Sequence, residues 1–405
     1  MTQVTSMTGS AEADELRAGM VRELRSLGAI RSDRVATAFE TVPRHLFAPG
    51  ETLARAYAPL GTTMPKRDAD GFLLSVLSAP DIQAMMLEPA EIEPGMRVLE
   101  VGSGGVNAAL IAELTGPSGD VTTVDIDPEI TARTRACLNA AGYGQVRVEL
   151  ADAEHGVPDG APYDRILITA GAWDVAPAWI AQLSPDGGRL VVPLRMRGLT
   201  RTVTFEPKGD GLVSRHYQLA AFVPFQGDGA HPDRKVMLRD GVVLHTDDPA
   251  LRINAAALNA ALDGPRLEAW TGARYDFPDE VSLFTTLNSP HVAQFHASQQ
   301  VIDAGIVGRW ALRGIPAMIT ADSIAYRMAR QVSDDPAGYE SGVIAHGPHA
   351  ENLAAQYADL LRRWARDYCR RGTALLRYRP GDPAPDPLPP GAVVKRHGVV
   401  SVTWP

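Results

Sequence analysis

The chain has 405 residues, 48 of them acidic against 39 Lys and Arg, a net charge of −9 with His neutral. With 45% hydrophobic and 21% charged residues its composition is that of an ordinary globular protein, which excludes a disordered tail or fibrous repeat for most of it and implies two or three domains at roughly 100 to 200 residues each. The negative total excludes a general electrostatic hold on nucleic acid, and no run of about 18 apolar residues offers a membrane span.

Residues 12–28 place Leu16, Met20, Val21, Leu24 and Leu27 on one helical face that ends at Gly28. A second short helix over 32–41 leads into VPRHLFAP, where Pro43 and Pro49 punctuate the chain. From residue 95 strands and helices alternate. MRVLEVGSGG (96–105) is a buried strand running into a glycine turn, AALIAELTG a helix, DVTTVDID (120–127) a strand and PEITARTRACLNAAG a helix. QVRVELAD (145–152), YDRILITAG (163–171) and GGRLVVPL (187–194) read as further strands, with a helix around Trp179–Leu183. This alternation predicts an α/β fold with a doubly wound, largely parallel sheet, which binds its ligand at the carboxyl ends of the strands. GDGAHPDRK (227–235) marks a domain boundary. Beyond it HVAQFHASQQVIDAG (291–305) and ENLAAQYADLLRRWARDYCRRG (351–372) read as helices. Six prolines in 380–391 exclude a helix or central strand there, and the closing VVSVTW reads as an edge strand.

No basic n-region precedes an apolar stretch at the start, so the chain reads as cytoplasmic. Cys137 and Cys369 are too few and too far apart for a disulfide framework or zinc ribbon and read as reduced packing residues.

The strand-turn-helix VLEVGSGGVNAALIAEL carries Glu100, Gly102, Gly104 and Gly105. Glycines let the backbone turn sharply against a ligand, and the helix behind offers free N–H groups. Asp125 closes the next strand 21 residues after Gly104, where a carboxylate accepts hydrogen bonds from both ribose hydroxyls of a nucleoside. Asn107 stands where a pyrophosphate-binding turn has its third glycine, which argues against nicotinamide or flavin dinucleotides. Asp152 reads as a contact for an adenine amino group or as an N-cap, and Asp127 as a cap.

VPRHLF (42–47), AYAPL (56–60), LSAPDIQAMMLE (77–88), PGMRVLEVGSGG (94–105), ADAEHG (151–156), PYDRILITAGAWDVAP (162–177) and LSPDGGRLVVPL (183–194) resemble protein-L-isoaspartate O-methyltransferases, in order and spacing, from about residue 12 to Gly227. The resemblance implies a class I, Rossmann-like S-adenosylmethionine-dependent methyltransferase with N-terminal helices and an additional C-terminal α+β domain. It divides the chain into an N-terminal helical segment and substrate loop (1–75), a cofactor-binding core (76–227) and a substrate-recognition domain (228–405). It implies that Glu100, Gly102, Ser103, Gly104, Asn107, Asp125, Ile126, Asp152 and Ala153 surround S-adenosylmethionine. Ser78, Ala79 and Pro80 match the substrate loop, in which the Ser78 hydroxyl aims the carboxylate to be methylated; Ser78 also reads as an N-cap for the helix that follows. Met85 and Met86 read as core filling beside the cofactor pocket.

The sequence departs from the family in three places. The loop before Ser78, TTMPKRDADGFLLSV, is lengthened. Asp81 follows Ser-x-Pro where repair enzymes often carry an aromatic residue or His, and an acid beside an anionic acceptor disfavours binding unless it is turned away or paired. Region 228–405 is extra, and a longer form resembles the variants found with ribosomally made peptides, lanthipeptides and graspetides. This implies methylation of one Asp in a modified, cyclised and acidic precursor peptide, the ester collapsing to an aspartimide and onward to isoaspartate. Repair of isoaspartyl residues in damaged proteins is the alternative, and a non-catalytic nucleoside-binding protein a third reading.

A sulfonium methyl is already activated and a carboxylate is ionised at neutral pH, so the reaction needs no general base. His45 and His155 therefore read as packing or surface residues. His291 and His296 are five apart, off the spacing of a helical zinc pair, and no metal site is expected. Arg362, Arg363, Arg366, Arg370 and Arg371, with Arg377 and Arg379 beyond, face only Glu351, Asp359 and Asp367. Such a run is a solvated face or a hold for an acidic peptide through Arg363 and Arg366.

Overall fold

The strands rich in Val, Ile and Leu build the first half of the molecule. In the computed structural model, which describes residues 2–69, 71–102, 104–275, 278–332, 338–381, 388 and 390–405, strands Arg189–Met196, Arg165–Ile168, Arg97–Val101, Asp120–Asp125 and Arg147–Leu150 lie side by side in that order and run parallel. Every residue of Arg165–Ile168 and of Arg189–Met196 is buried, as a parallel sheet covered on both faces requires. Leu199–Lys208 and Gly211–Leu219, an antiparallel pair, extend the sheet past Arg189–Met196.

Two compact units emerge: Met1–Leu194 with Arg201–Ala230, and Arg195–Thr200 with His231–Pro405. The first unit does not set residues 1–75 apart. Met20, Val21 and Leu24 of helix Thr2–Ser26, Phe39 of helix Asp33–Thr41 and Phe47 share one core with Leu87, Leu110 and Leu167. Burial of this stripe, rather than helix propensity, fixes the N-terminal helices onto the sheet. Ser32 caps the second helix by accepting the Val35 N–H at 3.3 Å, and Asp127 caps Pro128–Ala140 by accepting those of Glu129 and Ile130. The lengthened segment before Ser78 is not a plain loop: Thr63–Arg67 and Leu73–Leu77 pair as an antiparallel hairpin.

The second unit has a seven-stranded antiparallel sheet in the order Arg234–Arg239, Val242–Thr246, Val292–Ala297, Ile315–Ile319, Ile324–Gln331, Tyr339–His346, Arg266–Tyr275. One face packs helices Pro278–Asn288 and Ala350–Asp367, with Phe284, Tyr357, Leu361 and Trp364 buried among them. The other face holds Leu258 and Leu262 of helix Ala255–Asp263.

Two expectations are corrected here. HVAQFH is not helical: Val292–Ala297 is a strand paired on both sides, and only Gln299–Asp303 continues as helix. Ala293, Phe295 and Ala297 alternate with Gln294 and His296, but the run is too short to outweigh the helical spacing of the residues that follow. VVSVTW is not an edge either, because Gly398–Thr403 lies between Leu375–Pro380 and Val393–Val394. Most of the proline-rich stretch, 382–387 and 389, lies outside the described residues. No helix among those described is long and apolar enough to cross a membrane.

Candidate active site

The carboxyl ends of strands Arg97–Val101, Asp120–Asp125 and Arg165–Ile168 open into a cleft of about 920 Å³ that includes space open to solvent. Its walls include Ser78, Glu100, Gly102, Gly104, Asn107, Asp125, Ile126 and Ala153. These residues, up to 75 positions apart in sequence, are thus brought to one place; Ser103 lies outside the described residues.

The turn depends on two glycines. Gly102 has φ +94° and donates its N–H to the Val124 carbonyl at 2.9 Å, and a Cβ there would stand 2.4 Å from Thr169 Oγ1. Gly105 has φ +82°, and Phe47 of VPRHLF packs so closely that a Cβ would meet its ring at 2.9 Å. Helix Val106–Thr115 starts at this turn and directs its first amides toward the cleft end of the sheet.

Glu100 is 1% exposed and accepts the Thr123 hydroxyl at 2.7 Å. Burial pushes its pKa up to about 7, with the Asp125 charge adding to the rise while the hydrogen bonds of Thr123 and Asn107 oppose it. Folding therefore favours the protonated form. Glu100's contribution to stability is complete below pH 4.5, its ordinary value, and is lost as pH rises through 7. Glu100→Gln, which keeps the shape and cannot ionise, is expected to exceed the wild type by about 3 kcal/mol at pH 8 and to lose that advantage toward pH 4.5. Thermal melts of both proteins across this range check it, and parallel curves refute it.

Asn107 Oδ1 is buried with no hydrogen-bond partner among the described residues, at a position that lines the cleft. An orphaned acceptor beside a buried carboxyl suits a ligand that brings donors, such as the ammonium of an amino acid moiety. Asp125 ends its strand at the cleft, where one oxygen accepts the Asp127 N–H at 2.9 Å. Lys66 of the hairpin reaches Asp127 and Glu129 at 2.7 and 2.6 Å and ties the hairpin to the helix behind Asp125.

Asp152 is not among the residues that line the cleft. Its two oxygens accept the backbone N–H groups of Glu154 (3.0 Å) and Asp228 (2.7 Å), so it caps one turn and clasps another, and it is Ala153 that lines the cleft. Ser78 lines the cleft too, whereas Ala79 and Pro80 do not. The N-cap of helix Pro80–Ala90 is Ala79, which has no side chain to cap with, so Ser78 is not its cap. Ile82, Gln83 and Met86 face the cleft from this helix and Asp81 does not. Burial raises the pKa of Asp81.

Arg363 and Arg366 lie in the second unit and are not free cations. Arg363 Nη2 donates to Asn288 Oδ1 at 2.5 Å and its guanidinium sits 4.8 Å from the Phe284 ring centroid. Arg366 pairs with Asp367 at 2.8 Å and Arg362 with Asp359 at 2.9 Å, so local acids and an aromatic ring absorb much of the charge counted on that helix.

Sequence reasoning missed Thr169, Ala170 and the segment 223–226, all of which line the cleft. Thr169 carried a signal, since it ends a parallel strand at the binding edge of the sheet. Val223–Gln226 carried none: they reach the site by docking beside Gly171, whose N–H donates to the Val223 carbonyl at 2.7 Å.

Residues 15–229 match the family model of protein-L-isoaspartate(D-aspartate) O-methyltransferases. Relatives include the protein-L-isoaspartate O-methyltransferase of Methanopyrus kandleri, 41% identical over 219 residues (52% of this chain, 92% of that protein), and that of Hyperthermus butylicus, 39% identical over 224 residues (53% and 90%). A solved structure of a protein-L-isoaspartate O-methyltransferase shares the fold at TM-score 0.50 and 21% identity, covering 89% of this chain and 96% of its own. That likeness in fold spans more of the chain than residues 15–229. The donors and acceptors around the cleft fit S-adenosylmethionine: Asp125 for the ribose, Glu100 and Asn107 for the amino acid moiety, and the glycine turn for close approach. When bound, that cofactor supplies a methyl group activated on a sulfonium. The chain therefore belongs to the protein-L-isoaspartate(D-aspartate) O-methyltransferase family, S-adenosylmethionine-dependent carboxyl O-methyltransferases with the class I fold.

Proposed function

We propose that this protein esterifies the free carboxylate of isoaspartyl residues in proteins or peptides. The observation that carries the reading is the presence of Ser78 in the same cleft as Asp125 and the glycine turn. A hydroxyl there donates to the acceptor carboxylate and holds it in line with the methyl donor. Such positioning is worth about 7 to 11 kcal/mol when the reacting atoms meet near attack distance, and the ionised acceptor needs no base. Cys137 and Cys369 are in no disulfide, which suits a reducing compartment, the cytoplasm.

Incubation with labelled S-adenosylmethionine and an isoaspartyl peptide tests it: a base-labile methyl ester should form, and none should form on the Asp form of the same peptide. Ser78→Ala is expected to lower kcat/KM by about 100-fold while S-adenosylhomocysteine binds as in the wild type. Full activity of the variant refutes the role of Ser78.

A second reading is favoured by the hairpin. Leu74–Leu77 line the cleft and Phe72 at the turn is 56% exposed, an added wall with an aromatic contact point for a bulky acceptor. In this reading the acceptor is an Asp in a cyclised, modified precursor peptide, and its ester closes to an aspartimide that hydrolyses to isoaspartate. Transfer to such a peptide with none to isoaspartyl peptides would decide for it.

A further inference from the structure

Arg44 of VPRHLF is 2% exposed, and its guanidinium divides its donors among three segments. Nε donates to the Ala56 carbonyl at 2.7 Å, Nη1 to Gln83 Oε1 at 2.6 Å and Nη2 to the Ser78 carbonyl at 2.6 Å. Two of these acceptors belong to the cleft wall, since Ser78 and Gln83 both line it. None of the three is anionic. Burial lowers the pKa of Arg44 to about 10, so it stays charged at neutral pH. A cation held away from water with neutral partners alone is costly, and proteins normally give it a counter-ion.

We propose that Arg44 is a positioning residue for methyl transfer: it fixes Ser78 and Gln83 in the acceptor wall, and its buried, unneutralised charge selects an ionised carboxylate as the acceptor. The neighbouring His45 does not share this role, because its Nδ1 meets the Tyr57 hydroxyl at 2.7 Å instead. The fork geometry matters as much as the charge. A guanidinium reaches three acceptors in different directions at once, whereas an ammonium on a flexible stem brings the charge without the bracing. Arriving beside Ser78, the carboxylate of the substrate becomes the counter-ion that Arg44 lacks, in surroundings of low dielectric where the attraction is strong. An ester or amide at the same place gains nothing from the charge, so the methylated product is bound less well than the substrate. The selectivity rests on the carboxyl-acceptor reading above; the bracing of Ser78 does not.

The test uses the full-length protein with Arg44→Lys and Arg44→Met. S-adenosylhomocysteine binding by calorimetry reports folding of the cofactor half and is expected within about threefold of wild type in both. KM for an isoaspartyl peptide is expected to rise at least about tenfold in Arg44→Met and less in Arg44→Lys, which keeps the charge. Hydrogen exchange of the S-adenosylhomocysteine-loaded proteins is expected to quicken at residues 78–83 in both variants, with 106–115 unchanged. Unaltered exchange at 78–83 overturns the bracing, and equal KM in Arg44→Met and wild type, or equal impairment in both variants, overturns the selection by charge. If Arg44→Met fails to bind S-adenosylhomocysteine, Arg44→Gln replaces it as the uncharged variant and is read against Arg44→Lys in the same way. If the wild type itself transfers no methyl to the isoaspartyl peptide, the proposed function has failed, and the exchange data alone then decide for or against Arg44 as the brace of Ser78.

Discussion

Gly102→Val is expected to cut the affinity for S-adenosylhomocysteine by about 100-fold or more. Two penalties combine at this position. A side chain at φ +94° is strained, at about 1 to 2 kcal/mol for an L-residue in the left-handed region. The new Cβ would also fall 2.4 Å from Thr169 Oγ1, which is itself held by the Val101 and Gly102 carbonyls at 2.9 Å and has little freedom to retreat; overpacking of this kind costs about 1 to 3 kcal/mol. A summed cost near 3 kcal/mol at the mouth of the cleft corresponds to about a 100-fold loss of binding. Gly104 provides the contrast. A Cβ there would meet only Leu77 Cδ1 at 2.8 Å, the far end of a flexible side chain, so Gly104→Ala should bind within about tenfold of the wild type. Calorimetric titration of both variants checks the pair. Equal affinities for Gly102→Val and wild type would show that the turn tolerates a side chain and that its glycine is not there for backbone reasons.

Trp364→Ala is expected to destabilise the second unit by about 3 to 5 kcal/mol, the usual cost of removing a fully buried tryptophan. Trp364 is 1% exposed and its ring lies 5.5 Å from Phe284, 5.9 Å from Tyr368 and 5.8 Å from Trp404, the last at 86°. Its Nε1 is buried without a hydrogen-bond partner among the described residues, so the expected loss is one of packing. Trp404 is pinned separately, donating from Nε1 to Glu280 Oε2 at 2.8 Å, and is not expected to collapse into the gap. Urea unfolding followed by fluorescence and circular dichroism should show the shift, while S-adenosylhomocysteine binding at low temperature stays at the wild-type value. A loss below about 1 kcal/mol would mean that the cluster repacks around the void.

Much of the first half is legible in the sequence because its signals are local. The Gly102–Gly105 turn, the acid at Asp125 and the strand-helix alternation each announce themselves within a few residues, and the structure puts Glu100, Gly102, Gly104, Asn107 and Asp125 around one cleft. Asp152 shows the limit of such reading. A carboxylate at a strand end suits an adenine contact and a cap equally well, and only tertiary structure brings the Gly227–Gly229 turn to its second oxygen. The hairpin before Ser78 was hidden for another reason: short strands with a bulged register leave no clean alternation to find.

The second half is less legible because its elements are defined by partners far along the chain. Val292–Ala297 is fixed as a strand by its pairing with strands from 242–246 and 315–319, and the contacts of Arg363 with Asn288 and Phe284 join residues about 75 positions apart. By itself, then, the sequence determined the fold class and the cofactor turn, since periodicity and glycine chemistry act locally. Tertiary structure alone decided that Arg44 donates to the Ser78 carbonyl, that residues 223–226 line the cleft and that Arg363 lies against Asn288 and Phe284. Hydrogen bonds and ion pairs between distant segments depend on where the backbone brings them, and that is set by burial of the whole core rather than by any stretch of residues.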